Sequence, residues 1–251
     1  MSPKARLVHL FLSLFPPHDS TRRPGLSQLR DALAAMLVVD ALFHQGFRLG
    51  NVLFNFPPFG NDASDTLAAV NAHADEGDLI TTATRAPVSD EEQGDLRPVR
   101  RGYTTLEEAV LRVWERYFRV LSRGHIILDR GLCELLLAGY ADRSDIFFFR
   151  AKGARYKMLG RRRYQGPARS AAFLVREREL WPGGPGYLGF FGMDAVTTLI
   201  WAYLLRERHP ELLSEPGFVM VELSGPPLPI RPTDLSFADA WKAQVLIQKP
   251  L

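Results

Sequence analysis

The sequence has a single cysteine, Cys133, in 251 residues, which excludes an intramolecular disulfide and a zinc site built from several cysteines. Cys133 lies in the apolar run 132–137, where a lone cysteine is more typical of a small buried hydrophobe than of a nucleophile. No segment reaches the roughly 18 uninterrupted apolar residues of a membrane span. The apolar stretch Leu7–Phe15 ends at Pro16-Pro17 and predicts a strand rather than a signal peptide. These absences favour a cytoplasmic protein with no membrane contact.

Catalytic and cofactor motifs are also scarce. No serine or cysteine sits in a nucleophile elbow, and the six histidines are scattered, with none at metal-binding spacing from another. Gly184–Gly189 matches the letters of the dinucleotide-binding pattern G-x-G-x-x-G, but a charged segment, 176–179, precedes it where that site needs an apolar strand. We therefore interpret 184–189 as a hairpin turn. The sequence motifs leave the cofactor and any catalytic or metal-binding residues unknown.

Composition and patterning indicate a globular chain. Apolar residues make up 46% and charged residues 24%, which is ordinary for a soluble domain with a sizeable core. Segments typical of strands and of helices are interspersed, so we predict an α/β or α+β fold. It would be a single domain, 1–251, with a mixed β-sheet flanked by helices and a late β-hairpin. Two stretches fall outside this pattern: a polar loop at 87–101 and a proline-rich wrapping tail at 224–251.

Hydrophobic periodicity places the individual elements. The clearest helix is the one at 105–121, because Thr104 and Glu107 form a capping box before its apolar stripe. Four successive charged residues at 176–179 favour an edge strand or a hairpin tip. The other helices are expected at 26–47, 132–140 and 195–205, with a short one through Val70 and Ala74 that Asp62 or Ser64 would cap. The strands are expected at 6–15, 51–56, 79–84, 125–128, 146–149, 171–180, 187–191 and 217–223.

Positive charge is concentrated in one segment of the chain. Residues 150–169 hold eight of the 31 basic residues and no acidic one, which leaves 23 basic against 28 acidic elsewhere, a balance of −5. Glycines at 153, 160 and 166 are typical of a protruding loop or hairpin. Arginine outnumbers lysine 26 to 5 over the whole chain, which indicates a GC-rich, bacterial coding sequence. The clustering of arginines is therefore more informative than their number.

This segment predicts a surface that binds a polyanion, above all a nucleic acid. Guanidinium groups clamp phosphates, and aromatic rings stack on bases. The run Arg161–Arg163 is expected to contact phosphate while Tyr156 and Tyr164 stack. The full predicted binding set is Arg150, Lys152, Arg155, Tyr156, Lys157, Arg161, Arg162, Arg163, Tyr164 and Arg169.

Other interpretations stay open from the sequence alone. Metal-dependent phosphodiesterase chemistry draws on carboxylates and a lysine, and the chain offers Asp129, Asp145, Glu177, Glu179 and Lys152. Arg150, however, stands where the usual strand motif of such enzymes has an acid. The basic segment is also suited to docking on an acidic protein partner, or to pairing with the acidic residues at 90–95. A small-molecule enzyme with a pocket near Asp194 is a further class.

Overall fold

A computed structural model describes residues 6–13, 25–55, 77–82, 105–122, 125–138, 149–152, 155–158, 168–193, 195–226 and 235–251. These residues form helices together with one mixed and one antiparallel sheet, which confirms the predicted mixed α and β class. The helices are α1 (Gly25–His44), α2 (Thr105–Glu115), α3 (Arg130–Ala138) and α4 (Ala195–Glu207), with 3₁₀ turns at Pro210–Leu213 and Ser236–Ala238. The strands are β1 (Arg6–Ser13), β2 (Phe47–Asn55), β3 (Gly77–Thr82), β4 (Phe118–Ser122), β5 (His125–Leu128), β6 (Phe149–Lys152), β7 (Arg155–Met158), β8 (Ala168–Glu177), β9 (Tyr187–Gly192), β10 (Gly217–Gly225) and β11 (Lys242–Pro250).

The larger sheet has seven strands in the order β11-β10-β8-β9-β3-β1-β2. Pairing is parallel from β2 through β1 and β3 to β9. Pairing is antiparallel from β9 through β8 and β10 to β11. The nearly continuous apolar sequence of β1 suits a strand that lies inside the parallel half. The predicted late hairpin is confirmed by the antiparallel pair β8–β9, where Gly183 adopts a φ of +73° in the connection.

One face of the larger sheet is covered by α1 and α4. Helix α4 is apolar on nearly all sides, as its sequence predicts, and Leu199–Ala202 and Leu204 are buried in the core between helix and sheet. The Nε1–H of Trp201 donates a hydrogen bond of 3.1 Å to the carbonyl of Phe173 on β8. Asp40 of α1 pairs with Arg206 of α4 at 2.6 Å. The two helices are therefore packed on the sheet and linked to each other.

The opposite face of the larger sheet carries an aromatic cluster, which we define as Trp114, Phe118, Phe173, Phe191 and Phe218. Trp114 at the end of α2 and Phe118 at the start of β4 are fully buried. The Phe118 ring lies 5.1 Å from that of Phe173 and 5.8 Å from that of Phe218, both edge-on. Strand β4 belongs to the smaller sheet, whose order is β4-β5-β7-β6. The aromatic cluster thus joins the two sheets.

The helix predicted at 105–121 is shorter in the structure. Helix α2 ends at Glu115, a turn follows at 116–117, and strand β4 begins at Phe118. The amides of Arg116 and Tyr117 bond to the carbonyls three residues earlier, which tightens and closes the last turn. Tyr117 and Phe118 are buried against the larger sheet. Burial of these rings outweighs the helical periodicity, because tertiary packing overrides local preference.

The segment 176–179 does not belong to an edge strand. Strand β8 lies between β10 and β9, and Arg176 and Glu177 are buried, whereas Arg178 and Glu179 are exposed in the hairpin connection. Only the hairpin-tip part of that prediction is therefore correct. The buried carboxylate of Glu177 is tolerated because it has hydrogen-bonding partners, described below.

The tail predicted to wrap the surface contains a strand instead. Residues 242–250 form β11, which pairs with β10 along its whole length at one edge of the larger sheet. Lys242, Lys249 and Pro250 suit this position, since charge and proline protect an open edge against pairing with another chain.

Several predicted features lie outside the described residues. These are the polar loop at 87–101 with its acidic residues, the capping residue Thr104, Asp145, Asp194, and the segment 159–167, which includes Arg161, Arg162, Arg163 and Tyr164. Among the helices that the structure does describe, none has both the length and the hydropathy needed to cross a membrane.

Candidate nucleic-acid interface

Half of the predicted binding set lies on a hairpin formed by β6 and β7, which we call the basic hairpin (149–152 and 155–158). The two strands are antiparallel, and β6 lies at the edge of the smaller sheet. Arg150 is opposite Lys157, and Lys152 is opposite Arg155. The predicted hairpin within the basic segment is therefore present in this part of the chain.

The register places all four of these basic residues on one face. Directly opposed residues in an antiparallel pair share a face, and residues two apart along a strand share it too. We call this the basic face; it holds the positions of Arg150, Lys152, Arg155 and Lys157. The other face holds the positions of Phe149, Ala151, Tyr156 and Met158. The hairpin is thus divided into a wholly cationic face and a mostly apolar one.

The pairing of the smaller sheet connects the basic hairpin to the aromatic cluster. Met158 of β7 is paired with Ile126 of β5, and Ile126 is two residues from Leu128. Leu128 is paired with Phe118 of β4, and both are buried. Because Phe118 packs on the larger sheet, β5 connects the basic hairpin to the strand that joins the two sheets.

The arrangement of charge on the basic face is unfavourable for the isolated hairpin. Like charges directly opposite each other destabilise a sheet, and the basic face has two such pairs of positions. The sequence supplies no acidic residue within 150–169 to offset them. Local conflicts of this kind are expected where a protein is built for binding rather than for stability. An anion on this face would turn the repulsion into attraction.

The register position of Tyr156 differs from that of the four basic residues. Tyr156 is paired with Ala151, between the pairs Arg150–Lys157 and Lys152–Arg155. Its alternation with basic residues in the sequence is the period of two that a strand has. The stacking of Tyr156 on bases stays a prediction.

Arg169 is placed apart from the basic hairpin, in β8 of the larger sheet. Its Nε and Nη2 atoms donate hydrogen bonds of 2.7 Å to the two carboxylate oxygens of Glu222 on β10. The side chain of Glu222 is only 8% exposed and that of Arg169 is 32% exposed. A bidentate pair of this kind is strong and directional. An anionic ligand would have to compete with this carboxylate, so Arg169 has a structural role in the described fold.

The carboxylates considered for metal binding are separated. Asp129 is exposed and accepts the amide N–H of Gly131 at 3.0 Å, and Glu179 is exposed near the amide of Gly183. Glu177 is buried on the larger sheet. Within the described residues, no three histidine, cysteine or acidic side chains are grouped closely enough to hold a metal ion.

Glu177 instead forms a buried polar network that the sequence did not reveal. The hydroxyl of Tyr117 donates a hydrogen bond of 2.9 Å to Glu177 Oε1, and Arg116 Nη1 lies 3.2 Å from the same oxygen. The Tyr117 ring stacks on Phe218 with centroids 4.7 Å apart. Burial and the neighbouring carboxylate raise the pKa of Tyr117 above its ordinary value. This network anchors the turn between α2 and β4.

We expect the change Tyr117→Phe to destabilise the protein in a pH-dependent way. A hydrogen bond to a charged group contributes about 1.5–3 kcal/mol. An unfolded tyrosine titrates near pH 10, but folded Tyr117 keeps its proton to higher pH. Its contribution is therefore complete below about pH 10 and is lost as the pH rises through the folded pKa. Urea unfolding of both proteins at increasing pH measures the difference, which must narrow in alkaline solution. A constant difference would contradict this network.

No protein-family model, no curated protein and no solved structure matches this chain in comparisons with known proteins.

Proposed function

We propose that this is a cytoplasmic protein that binds nucleic acid by contacting the phosphodiester backbone of the nucleic acid. The contacts come from the basic face of the hairpin, extended by the run Arg161–Arg163. The observation that supports this most is the register of β6 and β7, in which Arg150 is opposite Lys157 and Lys152 is opposite Arg155. Lysine and arginine neutralise phosphates and release their counterions, which supplies most of the affinity of backbone binding.

The distribution of charge over the chain supports the same surface. Outside 150–169 the formal balance is −5, whereas the segment itself carries +8. A polyanion is attracted to the segment and repelled, on balance, by the remainder, so the field of the whole protein favours one binding region.

The proposal is tested by a variant in which all four residues of the basic face become glutamine: Arg150→Gln, Lys152→Gln, Arg155→Gln and Lys157→Gln. We expect its affinity for duplex DNA at low salt to fall by about tenfold or more. The slope of log K against log salt should shrink by about 3.6, since each phosphate contact contributes about 0.9. Fluorescence anisotropy with labelled DNA over a salt series measures both quantities.

A matched control removes four positive charges elsewhere. Arg112, Arg178, Lys242 and Lys249 are all exposed and lie outside 150–169, and changing them to glutamine alters the formal net charge from +3 to −1, as in the test variant. The control should keep most of the affinity and slope. Equal losses in the two variants would mean that net charge, and not the basic face, attracts the ligand. If the wild type binds neither DNA nor RNA, single- or double-stranded, at low salt, the proposal is wrong, and an acidic protein becomes the partner to test.

A further inference from the structure

We infer that a second copy of this chain packs on the outer side of helix α1. This surface is separate from the basic hairpin, because α1 covers the face of the larger sheet opposite to the aromatic cluster. Three features of the described side chains support it: the apolar residues that α1 exposes, the pairing of the charge among them, and the size of the helical layer.

Helix α1 is apolar on nearly all sides, although only one side is packed against the rest of the chain. Val38 and Leu42 on the packed side are 0 and 1% exposed. Along the other side, Leu33 is 43% exposed, Met36 49% and Phe43 61%. These three residues, which we call the outer stripe, are three and seven positions apart and follow one line along the helix. A helix that is apolar all round is normally buried all round, and a contiguous exposed apolar surface marks an interaction site.

The charge within the outer stripe is already paired. Asp40 is the one charged residue between positions 33 and 43, and its Oδ2 atom lies 2.6 Å from Nε of Arg206 on α4. A charged partner therefore gains little from this side of α1, whereas an apolar partner surface with its charges also paired is complementary to it. Every other copy of the chain presents such a surface.

A two-fold axis brings the outer stripe against itself. In an antiparallel pair of α1 helices centred on position 38, Leu33 of one copy is opposite Phe43 of the other, and Met36 is opposite Asp40. Each copy thus gives the same contacts that it receives, as in the isologous two-fold dimers that are the commonest soluble oligomers.

The size of the surface agrees with a dimer of modest affinity. Helices α1 and α4 have 20 and 13 residues, so they are about 30 and 20 Å long. At a width of about 10 Å per helix, the outer side of this layer is about 500 Å² per copy and about 1,000 Å² in total. That area is at the lower limit of specific interfaces. We therefore expect a dimer that dissociates on dilution.

Sedimentation velocity from low micromolar to several hundred micromolar protein tests the dimer. The change Phe43→Glu should raise its dissociation constant about tenfold or more, because a carboxylate is costly to bury against an apolar surface. The matched control is Leu135→Glu on α3, where a leucine is 54% exposed outside the outer stripe, and it should leave dimerisation unchanged. A wild type that is monomeric at every concentration would overturn the inference, and so would equal weakening by the two changes.

A charge pair tests the antiparallel two-fold directly. Leu33→Lys alone and Phe43→Glu alone should each weaken the dimer, whereas the double variant should recover several-fold in affinity. In the double variant the lysine introduced at 33 is opposite the glutamate introduced at 43 of the other copy. The two positions are about 15 Å apart within one helix, so they cannot pair in the monomer. A folded double variant that associates no better than the single variants would show that the copies do not pack in this way, and the inference would be wrong.

Discussion

Replacing Phe118 by alanine is expected to lower the free energy of unfolding by about 3–5 kcal/mol. Phe118 is fully buried, and its ring contacts those of Trp114, Phe173, Phe191 and Phe218 at centroid distances of 5.7, 5.1, 6.0 and 5.8 Å. The truncation removes apolar contact and leaves a cavity where the two sheets meet, and both effects add to the loss. Equilibrium unfolding in urea measures it.

Phe118→Leu is the matched control, because leucine keeps most of the apolar volume but none of the aromatic edge contacts. We expect a smaller loss than for alanine. Because Phe118 connects the smaller sheet to the larger one, the wild type should unfold in a single cooperative transition, as the predicted single domain requires. A loss below about 1 kcal/mol for alanine would mean that the ring is not at a packed junction. Two separate transitions would show that the sheets are independent units.

The parts of the fold that depend on local sequence were predictable. Helix α4 is apolar all round and is followed by Pro210, and β1 is a short apolar run, so their positions follow from pattern and from breakers within each segment. The end of α2 was not predictable in this way. Its last turn gives way to β4 because Phe118 packs on rings that are 55 to 100 residues further along the chain. Periodicity within α2 contains no information about those partners.

The same limit applies to the buried charge in β8. The charged run 176–179 predicted an edge strand or a hairpin tip, because a buried carboxylate without partners is costly. The partners of Glu177 are Tyr117 and Arg116, which lie 60 and 61 residues earlier. Only the tertiary structure brings them together.

The basic segment is evident from charge alone, whereas the pairing of its residues depends on the spacing around the hairpin loop. Lys152 and Arg155 are opposed with two residues between them, which is the spacing of a two-residue hairpin loop. Alternation on either side of such a loop puts the basic residues on one face and Tyr156 on the other. That signal is present in the sequence, so the register of the basic hairpin was predictable from the spacing of its residues. The pairing of Arg169 with Glu222, across two strands 53 residues apart, was not.

Replacing Arg169 by leucine is expected to destabilise the protein by about 3 kcal/mol, because it removes two charge-assisted hydrogen bonds from a buried carboxylate. Glu222 keeps its buried position but loses two hydrogen bonds of 2.7 Å from the guanidinium. The double variant Arg169→Leu with Glu222→Leu should recover much of this loss, since both charges are then absent. Urea unfolding of the two single variants and the double variant measures the coupling between the residues.

This cycle also separates a structural arginine from a binding one. If Arg169 serves the fold, the double variant should be stable and should bind nucleic acid with an affinity close to that of the wild type. Substitutions on the basic face should show the reverse, with affinity lost and stability kept or slightly improved, because they relieve two pairs of opposed like charges. A stable Arg169→Leu variant that has lost its affinity for nucleic acid would show that Arg169 contacts the nucleic acid. The competition between Glu222 and phosphate for one guanidinium would then be part of binding.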